Sequence, residues 1–493
     1  MAARHAGTLG RGIVYAAGNV ARRGLHVLLL PVYTATLPPD ALGVLALLTV
    51  TGRVLTLLLV TPLVTGALER FYYHPHWRRL RPVLAFNIAV VLGLCAAAAA
   101  GIWLAAAGPI GRWLLPAAAG VRPVALVRLY ALVVLLWPLE LLGLCFLKLL
   151  GRAGRTVAVS LAEAGVAAAV IVTGLLTGFG LAAVVAGTAA GMAVAVALSA
   201  PTLLAHCRAR AAPRVLRRPL GVGLPMLPVG LSRLAMHLGD RYVLRAFLPA
   251  GRIGVYDVSY RLSEAIDTAV GTPAHDAAHP AIRRLEAEPA RQRRFIRRWA
   301  LLAYGLALGA ALGLALLARE VLMLVAFANP AYWDGWVVLP LVAFGFAQQA
   351  LGAFLDWGLI MTNRTGLLSG VLAVSAAANI LLNVLLIPPL GILGAALATA
   401  VSYTLWNVLR GAFSWRLYRL AVPVGRLVAL TLLAGGLYAA SLLLGPLALS
   451  LPAGVGVKLV LWAAFVPLAW GVLSRGERRR ARIALTRLAR RRR

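Results

Sequence analysis

The chain has 493 residues, 61% of them hydrophobic and 13% charged, with a mean hydropathy of +0.86. That balance excludes a soluble globular protein and leaves a polytopic membrane protein. The formal net charge of +34 suggests nucleic acid only until the arginines are located: most fall between apolar runs, so membrane lipids are the expected partners and nucleic acid is not.

Fourteen runs are long enough to cross a hydrocarbon core of about 30 Å as helices. They cover residues 11–36, 42–68, 82–106, 124–147, 156–177, 181–206 and 219–247, then 254–281, 299–326, 335–362, 366–387, 391–413, 424–445 and 456–474. The opening segment MAARHAGTLGRG leads directly into the first run without a small-residue cleavage site, so no removable signal peptide is expected. Connections after even-numbered spans, with the N-terminus, hold about 35 Lys and Arg, and those after odd-numbered spans about four. The positive-inside rule then puts both termini in the cytoplasm. The basic tail after the last span, with Ile483, Leu485 and Leu488 among its arginines, has the pattern of a surface helix.

Charges inside spans carry the functional information, because an arginine at the bilayer centre costs about 2.5–3.5 kcal/mol on insertion scales. Span 1 holds Arg22 and Arg23 near mid-membrane, with His26 one turn on, and span 2 holds Arg53 at a similar depth. Those two spans supply no acid there; Glu69 is about four turns away. Unneutralised positive charge in a membrane cleft implies an anion that visits it, and guanidinium groups hold phosphate bidentately. Glu140 and Glu163, in spans 4 and 5, either bind a coupling cation or pair with a base such as Arg128. Span 7 carries Arg233 centrally, then His237, Asp240, Arg241 and Arg245. In span 8, Asp257, Arg261, Glu264 and Asp267 share one face, which cannot look at lipid and whose members pair along the helix or meet a ligand. His26 and His237 either titrate with a coupling proton or hydrogen-bond beside the arginines. Asp356 in span 10 is an acid without an assignable partner, and Asn379 and Asn383 in span 11 suit interhelical hydrogen bonding. The stretch HDAAHP at 275–280 reads as the inner end of span 8 rather than a metal site, and three dispersed cysteines offer neither disulfides nor metal-ligand spacing. There is no Walker A motif, metal-binding histidine pair or serine nucleophile elbow, so neither an ATPase nor another enzyme is expected, and no cofactor beyond a coupling proton or sodium ion.

A repeat at an offset of 211 residues divides the chain. Leu37-Pro38 and Gly43-Val44 recur as Leu248-Pro249 and Gly254-Val255, Arg22 and His26 as Arg233 and His237, and Gly180, Thr188 and Ala189 as Gly391, Thr399 and Ala400. Six spans separate the copies, so the halves have the same orientation. The expected organisation is an N-lobe of spans 1–6 (1–210), a C-lobe of spans 7–12 (211–420), two further spans (421–474) and a basic cytoplasmic tail (475–493). Two such lobes facing each other leave a central cleft and alternate its access by rocking.

Three segments, LLLPVYTATLPPDALGVLAL, DRYVLRAFLPAGRIGVYDVSYRL and NILLNVLLIPPLGILGAALATAVSYTLW, resemble in order and spacing the polysaccharide-biosynthesis, Wzx-type branch of the multidrug/oligosaccharidyl-lipid/polysaccharide (MOP) exporter superfamily. The resemblance implies an all-α, MATE-like fold and a flippase in the bacterial cytoplasmic membrane. It would carry an undecaprenyl-diphosphate-linked oligosaccharide outward for O-antigen, capsule or exopolysaccharide assembly, alongside glycosyltransferases and a polymerase. By position in the related lipid II flippases, it also assigns the diphosphate to Arg22 or Arg23, Arg53 and Arg261; Arg233 joins them as the repeat partner of Arg22. A lipid II-type flippase or a drug or cation exporter of the same superfamily is the alternative, and a membrane enzyme or scaffold a remoter one.

Overall fold

The structure is a computed structural model that describes residue 24 and residues 28–114, 123–443 and 451–472. Among the described residues there are helices and turns but no strands. The main helices are α1 (Leu30–Thr36), α2 (Pro39–Tyr72), α3 (Arg81–Ala105), α4 (Pro123–Leu149), α5 (Ala153–Leu176), α6 (Leu181–Ala205) and α7 (Arg214–Leu238, then a short Asp240–Phe247). They continue as α8 (250–284), α9 (Pro289–Leu316), α10 (Leu339–Met361), α11 (Thr365–Leu390), α12 (Ile392–Tyr418), α13 (Val424–Leu443) and α14 (Leu451–Val472). Among the described residues, twelve helices are long and apolar enough to cross a membrane. α8 is not among them, because its ionisable residues lower its hydropathy, and neither is α1, which has seven residues.

Helix ends differ most from the sequence reading where charge is dense. α9 starts at Pro289, ten residues before the expected boundary, within a run of arginines. Proline at the first turn needs no N–H partner, and Gln292, Ile296 and Ala300 form a buried stripe at four-residue spacing beneath the exposed charges. Both α2 and α8 contain a wide turn with one surplus residue, over Thr61–Leu68 and Asp267–Gly271.

Contacts group the chain into two compact units. The first comprises residues 1–261, 322–335 and 369–402. Lipid tails are as apolar as leucine, so burial alone gives helices little reason to associate, and close backbone approach matters more. In this unit Gly187 and Gly191 of α6 lie against Ala167, Ile171 and the carbonyl of Glu163 on α5, where a Cβ would clash. α2 is held by glycines at both ends: Gly43 meets Gly254 and Ala250 of α8, and Gly66 meets Gly223 of α7. The segment after α9 straps onto α1 and α8. Tyr332 donates to Leu37 O at 2.9 Å, Thr34 to Val325 O at 2.6 Å and Ser259 to Gly335 O at 3.0 Å.

Backbone geometry repeats 211 residues apart. Leu37 and Leu248 are both extended caps whose N–H groups bond back to Tyr33 and Leu244. Gly180 and Gly391 both take positive φ, +55° and +59°, immediately before α6 and α12, a conformation that suits glycine because it has no Cβ.

The second unit comprises residues 262–321, 336–368 and 403–493. α9 packs along α10, while α13 and α14 attach to α9. Tyr304 hydrogen-bonds Thr431 at 2.7 Å, and Trp462 donates to Gly309 O at 2.8 Å.

Candidate functional site: arginines of α2, α7 and α8

Gly52 allows the Tyr130 ring of α4 to lie directly on α2, where a Cβ would collide with it. That approach brings the Arg53 guanidinium 5.8 Å from the centre of the Trp137 ring. Arg53 is exposed and Trp137 half-buried, although both lie well inside apolar spans. On its other side α2 meets α7: Leu57 covers Gly230, and the hydroxyls of Thr51 and Tyr242 lie 2.8 Å apart. Arg233 is exposed one turn before His237, and Arg53, Arg233 and Arg241 are all within electrostatic reach of that imidazole. Arg233 forms no ion pair with any described residue. Arg53 and Arg233 are therefore two exposed arginines on neighbouring helices inside apolar spans.

Next to it is a network of the opposite kind. Arg241 is 1% exposed and donates to Asp240 at 2.7 Å, to Asp257 at 3.3 Å and to the carbonyl of His237 at 3.0 Å. Its guanidinium lies 4.0 Å from the Tyr260 ring centre and 5.2 Å from that of Tyr256. Tyr256 donates to Asp240 at 2.5 Å, and Arg261 Nε to the second oxygen of Asp257 at 2.6 Å. Two acids and two arginines cancel, and hydrogen bonds offset the cost of taking them out of water.

The expected residues thus divide. The structure brings Arg53, Arg233 and His237 into one region, ties Arg261 to Asp257, and leaves Glu264 exposed without an ion-pair partner among the described residues. Glu140 and Glu163 are buried in α4 and α5, and Arg128 is exposed. Arg22, Arg23 and His26 lie outside the described residues.

The roles of several residues were not read from the sequence. Arg241, placed in span 7 without a role, is the hub of its network, and a signal existed: Arg241 and Asp257 are placed symmetrically about Pro249, as expected for antiparallel helices joined by a short turn. Trp137 carried no signal beyond its mid-span position. Asp356 does have a partner, the buried Arg410 of α12 at 3.3 Å. Arg410 also binds Asn407, which donates to Gln348 at 2.7 Å, and it stacks 4.0 Å from the Trp406 ring. Gly352 makes room for that guanidinium. Asn383 donates to the carbonyl of Asn379 at 2.8 Å and to its side-chain oxygen at 3.1 Å, so both bonds of this pair lie within α11 and not between helices.

The fold is that of membrane flippases and transporters. It is similar to a lipid II flippase, MurJ, in an inward closed conformation, with a TM-score of 0.74 and 9% identity over 93% of this chain and 99% of the other. An inward-facing multidrug resistance MATE family transporter of the MOP superfamily gives 0.56 and 15% over 83% and 98%. A variant of the Vibrio cholerae MATE transporter VcmN gives 0.54 and 14% over 84% and 95%. No curated protein sequence matches the chain. The profile of the polysaccharide biosynthesis protein family matches residues 37–329, well over half the sequence, and the chain belongs to that family.

Proposed function

We propose that this protein is a flippase for an undecaprenyl-diphosphate-linked oligosaccharide, working by alternating access between an N-lobe and a C-lobe in the bacterial cytoplasmic membrane. The observation that carries the reading is the pair of exposed arginines inside apolar helices, Arg53 and Arg233, in a chain of the polysaccharide biosynthesis family. Their guanidinium groups hold the diphosphate, while the polyprenyl tail stays in lipid. Arg22, Arg23 and Arg261 are proposed to contribute to the same anion site, Arg261 by leaving Asp257 during the cycle. His237, beside the arginines, is the proposed site of coupling to a proton, with Glu140 and Glu163 as acids that serve a cation. The N- and C-termini are cytoplasmic, where glycosyltransferases deliver the substrate; a polymerase consumes it outside. A cation exporter is disfavoured, because clustered arginines repel its substrate.

The test is complementation of the host deprived of its own copy of the gene, comparing wild type with Arg53→Ala and Arg233→Ala at equal membrane levels. The expected result is restored surface polysaccharide with wild type and accumulated lipid-linked precursor with either variant. Normal export by both variants would overturn the site, and failure of wild type to clear the precursor would overturn the function.

A further inference from the structure

The arginines inside the spans meet aromatic rings in two distinct ways. Rings that shield a buried arginine are themselves buried: Tyr256 at 0% and Tyr260 at 3% exposure around Arg241, and Trp406 at 6% beside Arg410. Trp137 departs from that pattern, because it stays half-buried beside an exposed arginine. Accessible rings beside arginines occur elsewhere at helix ends, as with Tyr73 and Tyr418, where amphipathic aromatics normally gather at the membrane interface. Trp137 lies near the middle of α4, far from either interface, so an interfacial role does not account for it.

We infer that the indole of Trp137 is the stacking platform for the first sugar of the substrate, the one attached to the diphosphate. This rests on the flippase reading above and adds a sugar subsite to its anion site. A pyranose presents a face of C–H groups carrying slight positive charge, and the indole is a broad, rigid ring with a negative face. Stacking the two covers apolar surface without requiring a particular pattern of hydroxyl groups. In a sugar diphosphate one oxygen joins the ring to the nearer phosphate, so a protein that reads both must set a cation and an aromatic plane side by side. Arg53, its guanidinium carbon over the Trp137 ring at 5.8 Å from the centre, brings cation and aromatic plane together. Two helices fix the spacing, since Gly52 seats α2 against Tyr130, two turns before Trp137 on the same helix.

The competing role is positional: Trp137 holds Arg53 in place and touches no sugar. The two roles separate when the sugar is removed from the probe. Binding of undecaprenyl diphosphate and of the same lipid carrying the host's oligosaccharide would be measured on full-length protein in nanodiscs, for wild type, Trp137→Leu and Trp137→Phe. The expected result is that wild type prefers the glycosylated lipid. Trp137→Leu then loses at least tenfold in affinity for it and less than twofold for the bare diphosphate, while Trp137→Phe keeps most of the preference. Equal losses on both probes would overturn the sugar platform in favour of positioning, and no loss on either would overturn it outright; both leave the flippase reading standing. If wild type binds neither lipid, the flippase reading itself falls, and the platform with it. Melting temperatures in detergent verify that each variant is folded, with Trp137→Phe as the ring-conserving partner should Trp137→Leu prove unstable.

Discussion

Arg233 and Arg241 lie on the two segments of α7, either side of Gly239, yet their surroundings make them opposite kinds of residue. Arg241 is buried, bonded to two carboxylates and enclosed by two tyrosine rings. Arg233 is exposed and has no ion-pair partner among the described residues. The difference teaches that a charge in a membrane helix cannot be read from its depth alone. A neutralised, hydrogen-bonded arginine is scaffold, whereas an accessible one keeps its field for a ligand.

The largest effect should come from breaking the scaffold. Arg241→Ala leaves Asp240 and Asp257 buried without their shared cation, a loss of roughly 3–5 kcal/mol. The variant should elute as aggregate in fluorescence-detected size-exclusion chromatography, and wild-type behaviour would remove the distinction between the two arginines. Arg233→Ala should do the reverse, melting within about 1 kcal/mol of wild type, as surface substitutions do, while transport falls at least tenfold; Arg233→Lys should recover part of it, because lysine keeps the charge but loses the bidentate fork. A smaller effect is expected at the end of α2. In a background without Cys95, Cys145 and Cys207, Gly223→Val should force α7 away from Gly66 and raise labelling of Ser232→Cys by a membrane-impermeant thiol reagent. Unchanged labelling would mean that the glycine contact closes nothing. The smallest effect belongs to Arg252→Ala. Its pair with Asp334, 3.0 Å long, is exposed on both sides and should contribute about 0–1 kcal/mol, below what a melting curve in detergent resolves.

How much of this was legible in the sequence depended on the range of the interaction. Hydropathy is a local property, and it foretold the twelve long apolar helices found among the described residues; the four-residue spacing of Asp257 and Arg261 likewise announced their pairing. The start of α9 was hidden because charge masked a buried stripe of only one residue per turn. Arg410 and Asp356 were beyond reach, since a pair 54 positions apart depends on which two helices pack. The glycines holding α2 were equally silent: the chain has 49 glycines, and only tertiary contact distinguishes Gly66 and Gly223 from the rest.

The wide turn at Thr61–Leu68 sets a rule for the length of α2. A regular helix advances about 100° per residue, so the surplus residue offsets the phase of everything after it and lets Gly66 face α7 while Gly43 faces α8. Deleting one residue there would restore ideal helical geometry and still be harmful, because Gly66 would rotate off Gly223 and a side chain would swing into its place. Length in this helix is therefore fixed to the single residue, and the irregularity that makes its backbone imperfect keeps its two ends in register with different neighbours.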